Sequence, residues 1–378
     1  MLHSRIFIWE ESFHWQNALR KPVSDMLTVE ELITSHVPLD SVAAEAAGRQ
    51  WNSIAKPLGS LGLLEEDVIR IAALTGDPDV RLDRRALLVF CADNGVVAQG
   101  VAQTSYTVTG KVASALAKGT STINPMAKLA RCEVIPVDMG IRDYTPVQGV
   151  LNRRIGNGTS DISRGPAMTK VQCRQAIAYG ADLVRELAEQ GVALVAVGEM
   201  GIANTTTASA VTAALLHLDP ENIVGRGAGL SGEGLARKKK AVRAALEVNR
   251  PNPEDPLDVL AKVGGFDLAG MCGAFLGAAV CRVPVVIDGM ISATAALCAQ
   301  RLNPDSRAAM LASHVSSEPV SHVLLEALGL EAPIHAGMHL GEGSGAMCLL
   351  PLLDQALAVY HSGQTFEKLG AEAYTPQV

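Results

Sequence analysis

Three glycine-flanked segments carry residues whose type and spacing suit chemistry. In Val195-Ala196-Val197-Gly198-Glu199-Met200-Gly201-Ile202-Ala203-Asn204-Thr205-Thr206-Thr207 an apolar run leads into a glycine loop with one acid. Small polar residues then open an alanine-rich helix. A helix start offers unpaired N–H groups and the positive end of a dipole, which suits a phosphate. Thr and Asn are also ordinary helix caps. Glu199 favours the functional alternative, because an acid beside an anion site is costly without a purpose.

The second segment is Gly225-Arg226-Gly227-Ala228-Gly229-Leu230, followed by Ser231-Gly232-Glu233-Gly234 and the basic run Arg237-Lys238-Lys239-Lys240. It lacks the full dinucleotide fingerprint, and basic runs are usually solvated helix faces; one lysine reaching a phosphate is plausible, all three doing so is not. The third, Met338-His339-Leu340-Gly341-Glu342-Gly343-Ser344-Gly345-Ala346, sets a carboxylate between glycines ahead of an apolar helix. Glycines on both sides admit a substrate close to the acid, as a general base requires; a solvated loop acid is the even alternative. A polar cluster, Ser313-His314-Val315-Ser316-Ser317-Glu318-Pro319, lies upstream, but no G-x-S-x-G elbow makes it a serine hydrolase. There is no G-x-x-x-x-G-K-[ST] loop and no H-E-x-x-H, and Asp288 stands alone after its apolar run. A monophosphate bound without a metal therefore fits better than a nucleoside triphosphate or a ribosyl diphosphate.

The elements that must position these residues show in a pattern that starts at Ala86. Short apolar runs end in an acid or a glycine: Leu87 to Cys91, Val134 to Val137, Ala193 to Val197, Ile223 and Val224, and Val283 to Ile287. Buried parallel strands read this way, and an open α/β sheet binds its ligand at the carboxyl ends of such strands. Thr169 followed by Gln172 has capping-box spacing and predicts a helix running toward Gly191.

Composition agrees with that class. The 378 residues are 48% hydrophobic but only 4% aromatic, with 35 glycines, so the core must be aliphatic, as in helices laid closely on a parallel sheet. With 32 basic against 39 acidic side chains, a net charge of -7 argues against nucleic acid as a partner. Seven cysteines without a C-x-x-C pair indicate neither a disulfide framework nor a zinc ribbon. The longest apolar stretch, Leu268 to Cys281, falls short of the roughly 20 residues of a membrane span. Residues 1–25 are expected to be an extension outside the core, 26–85 a small, mainly helical domain and 86–350 the large α/β domain. Residues 351–378 are expected to pack with the small domain.

These segments, in order, resemble the nicotinate-nucleotide:dimethylbenzimidazole phosphoribosyltransferase family. The matching stretches run from Lys56-Pro57-Leu58-Gly59-Ser60-Leu61-Gly62 through Ala92-Asp93-Asn94-Gly95-Val96-Val97, Gly165-Pro166-Ala167-Met168-Thr169, Gly198-Glu199-Met200-Gly201 and Gly225-Arg226-Gly227. They continue through Gly264-Gly265-Phe266, Pro284-Val285-Val286-Ile287-Asp288-Gly289 and Ser313-His314-Val315-Ser316 to Leu340-Gly341-Glu342-Gly343. The resemblance implies a Rossmann-like parallel sheet flanked by helices, a small helical domain built from both chain ends, a cytoplasmic homodimer and no cofactor. It implies phosphoribosyl transfer from nicotinate mononucleotide to a benzimidazole-like base. Glu342 matches the family's catalytic base and Glu199 the second acid of the pocket. Met200, Gly201, Ile202, Gly225, Gly227, Lys238 and Ser316 match positions around phosphate and ribose, and Leu340, Gly341, Gln103, Thr104 and Lys111 complete the implied substrate contacts. Thr104, Ser105, Lys111 and His339 depart from common family residues, which bears on the choice of base. A catalytically silent nucleotide-binding homologue and a nicotinate-nucleotide hydrolase are the alternatives.

Overall fold

The computed structural model describes residues 26–374; the extension expected over residues 1–25 lies outside the described residues. The described residues begin with helices α1 (Val29–Thr34), α2 (Ser41–Ser53) and α3 (Leu63–Thr75), then enter strand β1 (Arg85–Ala92). Helices α4 (Thr107–Ala117) and α5 (Ile123–Leu129) lead to β2 (Glu133–Gly140) and the short β3 (Leu151–Asn152). Helix α6 (Lys170–Glu189), β4 (Leu194–Met200), α7 (Asn204–Leu216), α8 (Pro220–Ile223), α9 (Gly232–Asn249), α10 (Pro256–Val263) and α11 (Phe266–Val280) follow. The chain then forms β5 (Val285–Ile287), α12 (Met290–Leu302), β6 (Met310–Ala312), α13 (Ser321–Leu328), α14 (Ser344–Tyr360) and α15 (Phe366–Leu369).

The strands form one six-stranded parallel sheet in the order β3-β2-β1-β4-β5-β6. The chain builds outward from β1 through β2 to β3, then returns to β1's other side to place β4. The switch in direction therefore lies between β1 and β4, the place where open sheets leave a crevice at their carboxyl ends.

Both faces of the sheet are covered, and the two-residue period of a strand sorts its side chains cleanly. Leu88, Phe90, Val195, Val197, Val285 and Ile287 face the core shared with α6, α11 and α12. Leu87, Val89, Leu194, Ala196, Val286 and Leu311 face the core shared with α2, α3 and α14. Between α6 and α11 the backbones nearly touch. A Cβ on Gly180 would lie 1.8 Å from the carbonyl oxygen of Gly270, and one on Gly273 1.9 Å from that of Ile177. Several of the many glycines thus serve helix contact rather than ligand approach.

The start of α6 carries its capping box, with Thr169 and Gln172 each bonded to the other's backbone. One expected strand is absent from the sheet: Ile223 closes the short helix α8 and Val224 is its C-cap. The cause is local, because Asp219 accepts from the Glu221 N–H and Pro220 occupies the first turn, a helix start that outweighs two branched residues. β3 and β6, two and three residues long, go beyond the expected strands.

Helices from early and late in the described residues pack together. Trp51 of α2 packs on Tyr360 of α14 with ring centroids 4.9 Å apart, and the Ala55 N–H donates to the Gln364 carbonyl. Lys56 pairs with the buried Glu65 at 2.6 Å and lies over the Trp51 ring. No helix among the described residues is long and apolar enough to cross a membrane.

Candidate active site

At the carboxyl edge of the sheet one cleft gathers all three glycine-flanked segments. Its walls are Glu199 to Ile202 after β4, Asn204 and Thr205 at the start of α7, Gly227 and Ala228, and His339 to Glu342 before α14. Asp288 to Ser292, at the β5–α12 junction, and His314, Ser316 and Glu318 complete the lining.

Glu199 is buried, and the Asn204 side-chain amide donates to its Oε2. That bond tells against the capping alternative for the polar residues after β4. Asn204 serves the acid rather than the helix end, and the N-cap position of α7 is Ala203, in the left-handed region at φ 74° with no side-chain cap. Burial drives the Glu199 pKa up to about 8; the Asn204 bond opposes this, and the nearby Asp267, Asp288 and Glu342 add to it.

Glu342 sits on a loop whose successive residues Gly341, Glu342 and Gly343 all have positive φ, at 82°, 60° and 89°. It is half-buried, and its Oε2 is shielded from solvent with no hydrogen-bond partner among the described residues. Burial and then the charge of Asp288 raise its pKa. Two glycines bring the acids together. A Cβ on Gly198 would lie 2.6 Å from the Glu342 carbonyl carbon, and one on Gly341 would lie 2.6 Å from Glu199 Oε1. A carboxylate with a free oxygen and a raised pKa, in a site sheltered from water, is equipped to take a proton.

The other end of the cleft sets a buried lysine behind its wall and a carboxylate, Glu318, on it. Lys238 of α9 is fully buried, and its Nζ donates to Thr205 Oγ1 at 2.9 Å and to the Gly225 carbonyl at 3.1 Å. Burial lowers its pKa to about 8, against which Glu318 acts. Of the basic run only this lysine turns inward; Lys239 pairs with Glu221 and Lys240 is exposed. The Gly227 N–H donates to Glu318 Oε1 at 2.9 Å, and Ser316 Oγ accepts from the Glu318 N–H at 3.4 Å.

The remaining expected residues divide. Leu340, 50% exposed, sits on the rim with Met200, Gly201 and Ile202. Gln103 lies behind the glycine loop, its amide donating to the Ala228 carbonyl at 2.7 Å and to that of Gly229. Gly225 and Lys238 stand directly behind the wall, whereas Thr104 and Lys111 are exposed and outside the lining. Thr109, absent from the expectations, is buried and accepts from the Ile202 N–H at 3.2 Å while donating to Asp93 at 2.6 Å. Asp288, His314 and Glu318 also line the cleft without having been singled out as site residues. For Asp288 the signal is an acid followed by glycine at a strand end, and Glu318 stands in the polar cluster Ser313 to Pro319; Thr109 carries none.

Comparison with known proteins gives a consistent set of likenesses. The family model described as phosphoribosyltransferase matches residues 37–370. The nicotinate-nucleotide–dimethylbenzimidazole phosphoribosyltransferase of Acetivibrio thermocellus is 45% identical over 341 residues, covering 90% of this chain and 96% of the relative. The enzyme of the same name from Escherichia coli O9:H4 is 40% identical over 338 residues, covering 89% and 94%. The solved structure of CobT from Thermus thermophilus matches with a TM-score of 0.83 at 39% identity, covering 88% of this chain and 100% of that one.

Proposed function

Since the chain belongs to the nicotinate-nucleotide–dimethylbenzimidazole phosphoribosyltransferase family, we propose that its cleft divides that reaction between a proton-accepting end at Glu342 and a phosphate-holding end at Lys238. The protein transfers the phosphoribosyl group of nicotinate mononucleotide to a lower-ligand base, 5,6-dimethylbenzimidazole or a relative, in cobalamin biosynthesis. α-Ribazole 5′-phosphate and nicotinate are the products.

One benzimidazole nitrogen attacks the ribose anomeric carbon while the proton on the other passes to Glu342 Oε2. The bond from that carbon to the pyridinium nitrogen breaks with its electron pair going to nitrogen. Departure neutralises the ring cation, so the leaving group needs no general acid and the nucleophile alone needs help. Attack from the face opposite the leaving group inverts the centre and gives an α-riboside from the β-nucleotide. Glu199, fixed by Asn204, orients the acceptor base, and its charge, when ionised, favours the oxocarbenium-like ribose. Lys238, the glycine loop around Gly225 and Gly227, and Ser316 hold the phosphate, and Met200, Gly201, Ile202, Leu340 and Gly341 shape the space between. We place the enzyme in the cytoplasm as a homodimer, on its likeness to the family.

The observation that carries this reading is the sheltered Glu342 oxygen without a partner, in the same cleft as Glu199 and the Lys238 loop. Glu342→Gln is expected to bind nicotinate mononucleotide normally and to lower kcat by about 100-fold or more, within the usual range for a general base. Unchanged turnover would remove Glu342 as the base. Nicotinate release that continues without any acceptor base would identify a hydrolase, and nucleotide binding without product from any base would identify a silent homologue.

A further inference from the structure

We propose that Asp288, working against the start of α14, is the positioning residue that holds the Glu342 loop in its reactive form; this rests on the reading of Glu342 as the base. Asp288 follows β5 at the carboxyl edge of the sheet and is 4% exposed. Its Oδ2 accepts from the Gly343 N–H at 3.0 Å, and its Oδ1 accepts from the Gly345 N–H at 2.6 Å and the Ala346 N–H at 3.4 Å. The first of these donors belongs to the peptide group that joins Glu342 to Gly343. A buried carboxylate thus grips the backbone immediately beside the proposed base and, with its other oxygen, the first turn of the helix that follows.

The loop needs such a grip. Glu342 is a non-glycine residue with φ 60°, a left-handed conformation that is strained for an L-residue and persists only where its surroundings enforce it. The start of α14 has no side-chain cap of its own, because Gly343 occupies the N-cap position. Asp288 supplies that cap from another strand, so one side chain compensates the strained residue and the open helix end together.

His314 completes the support. It is 5% exposed, its Nδ1 lies 3.0 Å from Ser313 Oγ, and Ser313 Oγ in turn donates to the Asp288 carbonyl at 3.1 Å. A Cβ on Gly345 would come 1.8 Å from His314 Nδ1 and one on Gly289 3.6 Å from its Cε1, so the ring fills the gap between the two segments Asp288 joins. Asp288 need not touch a reacting atom to govern the reaction. It sets where the Glu342 carboxylate points.

A double-mutant comparison tests this: wild type, Asp288→Asn, Glu342→Gln and the double variant, with kcat counted per nucleotide-binding site so that unfolded protein does not mimic a loss. Asp288→Asn turns one acceptor into an NH2 group facing N–H donors. It is expected to lower kcat on the order of 10- to 100-fold, with KM for nicotinate mononucleotide within about threefold of wild type. In the Glu342→Gln background the same change is expected to cost nothing further. If the losses multiply instead, or if Asp288→Asn weakens nucleotide binding as much as it lowers kcat, the positioning role is overturned. If Glu342→Gln alone keeps full turnover, the base assignment has failed rather than this inference. Should Asp288→Asn not fold, Asp288→Ser, which keeps a small acceptor in place, takes its part in the same comparison.

Discussion

Lys238 shows how one side chain can be costly to the empty protein and useful to the reaction. A fully buried ammonium loses its hydration, and two neutral acceptors, Thr205 Oγ1 and the Gly225 carbonyl, repay only part of that loss. The net effect is a pKa lowered to about 8, with Glu318 acting against the drop. That carboxylate offsets part of the cost from nearby, and a bound phosphate adds further negative charge, so the rest recurs as affinity. Lys238→Met is therefore expected to leave the empty fold at least as stable while raising KM for nicotinate mononucleotide roughly 10- to 100-fold, the worth of a charge-assisted hydrogen bond. The kcat of saturated enzyme should change far less. Steady-state kinetics with a melting curve for each protein checks both halves, and a variant whose loss falls on kcat alone would move Lys238 away from the phosphate.

At the scale of elements the cleft depends on close backbone contacts that glycine permits. The Glu342 loop lies directly on β4 at Gly198, and a methyl there would collide with backbone at 2.6 Å rather than with a movable side chain. Gly198→Ala should push the loop off the strand, cost about 1–3 kcal/mol as overpacking does, and lower kcat by more than the fall in melting temperature alone would suggest. Turnover at the wild-type level in a folded Gly198→Ala protein would show that the loop position is not critical. The sequence made much of this framework legible. The runs at Leu87, Val134, Ala193 and Val283 contain or overlap β1, β2, β4 and β5, because buried parallel strands advertise themselves as continuous apolar stretches. β3 and β6 are too short for any pattern to rise above their surroundings, and the Ile223–Val224 pair was outweighed by the Asp219-Pro220 helix start. The two acids and the inward lysine could be read from glycine spacing and family likeness. Asp288 and Glu318 stand in segments the sequence marks, but the contacts beneath the acids could not be read, since Asp288, Thr109 and Glu318 reach their partners across 55, 93 and 91 residues of chain.

For the whole molecule, the cleft and the layer behind it hold acids whose ionisation the fold resists. Burial raises Asp93 and Asp267 to about 6 and Glu199 to about 8, and raises Glu342 as well. For a carboxyl group raised in the folded state, the protonated form is the one the fold favours. Its contribution is complete below the ordinary value near 4.5 and is lost as pH climbs through the folded value. Lys238 has the opposite sequence: its pKa is depressed from 10.5 to about 8, so the fold carries a penalty below pH 8 that is relieved only as pH rises toward 10.5. Near pH 8 the two effects coincide, with Glu199 becoming charged while Lys238 still is, and the empty site is there at its most strained. Glu199→Gln removes the carboxyl's share. Its melting temperature should match the parent near pH 5 and exceed it by an amount on the order of 5 °C at pH 8, given about 1.4 kcal/mol for each tenfold change in an acidity constant, discounted for relaxation. A gap that stays constant from pH 5 to pH 8 would mean that Glu199 titrates as an ordinary solvated acid. The acid pair would then lack the shelter from water on which proton transfer to Glu342 depends.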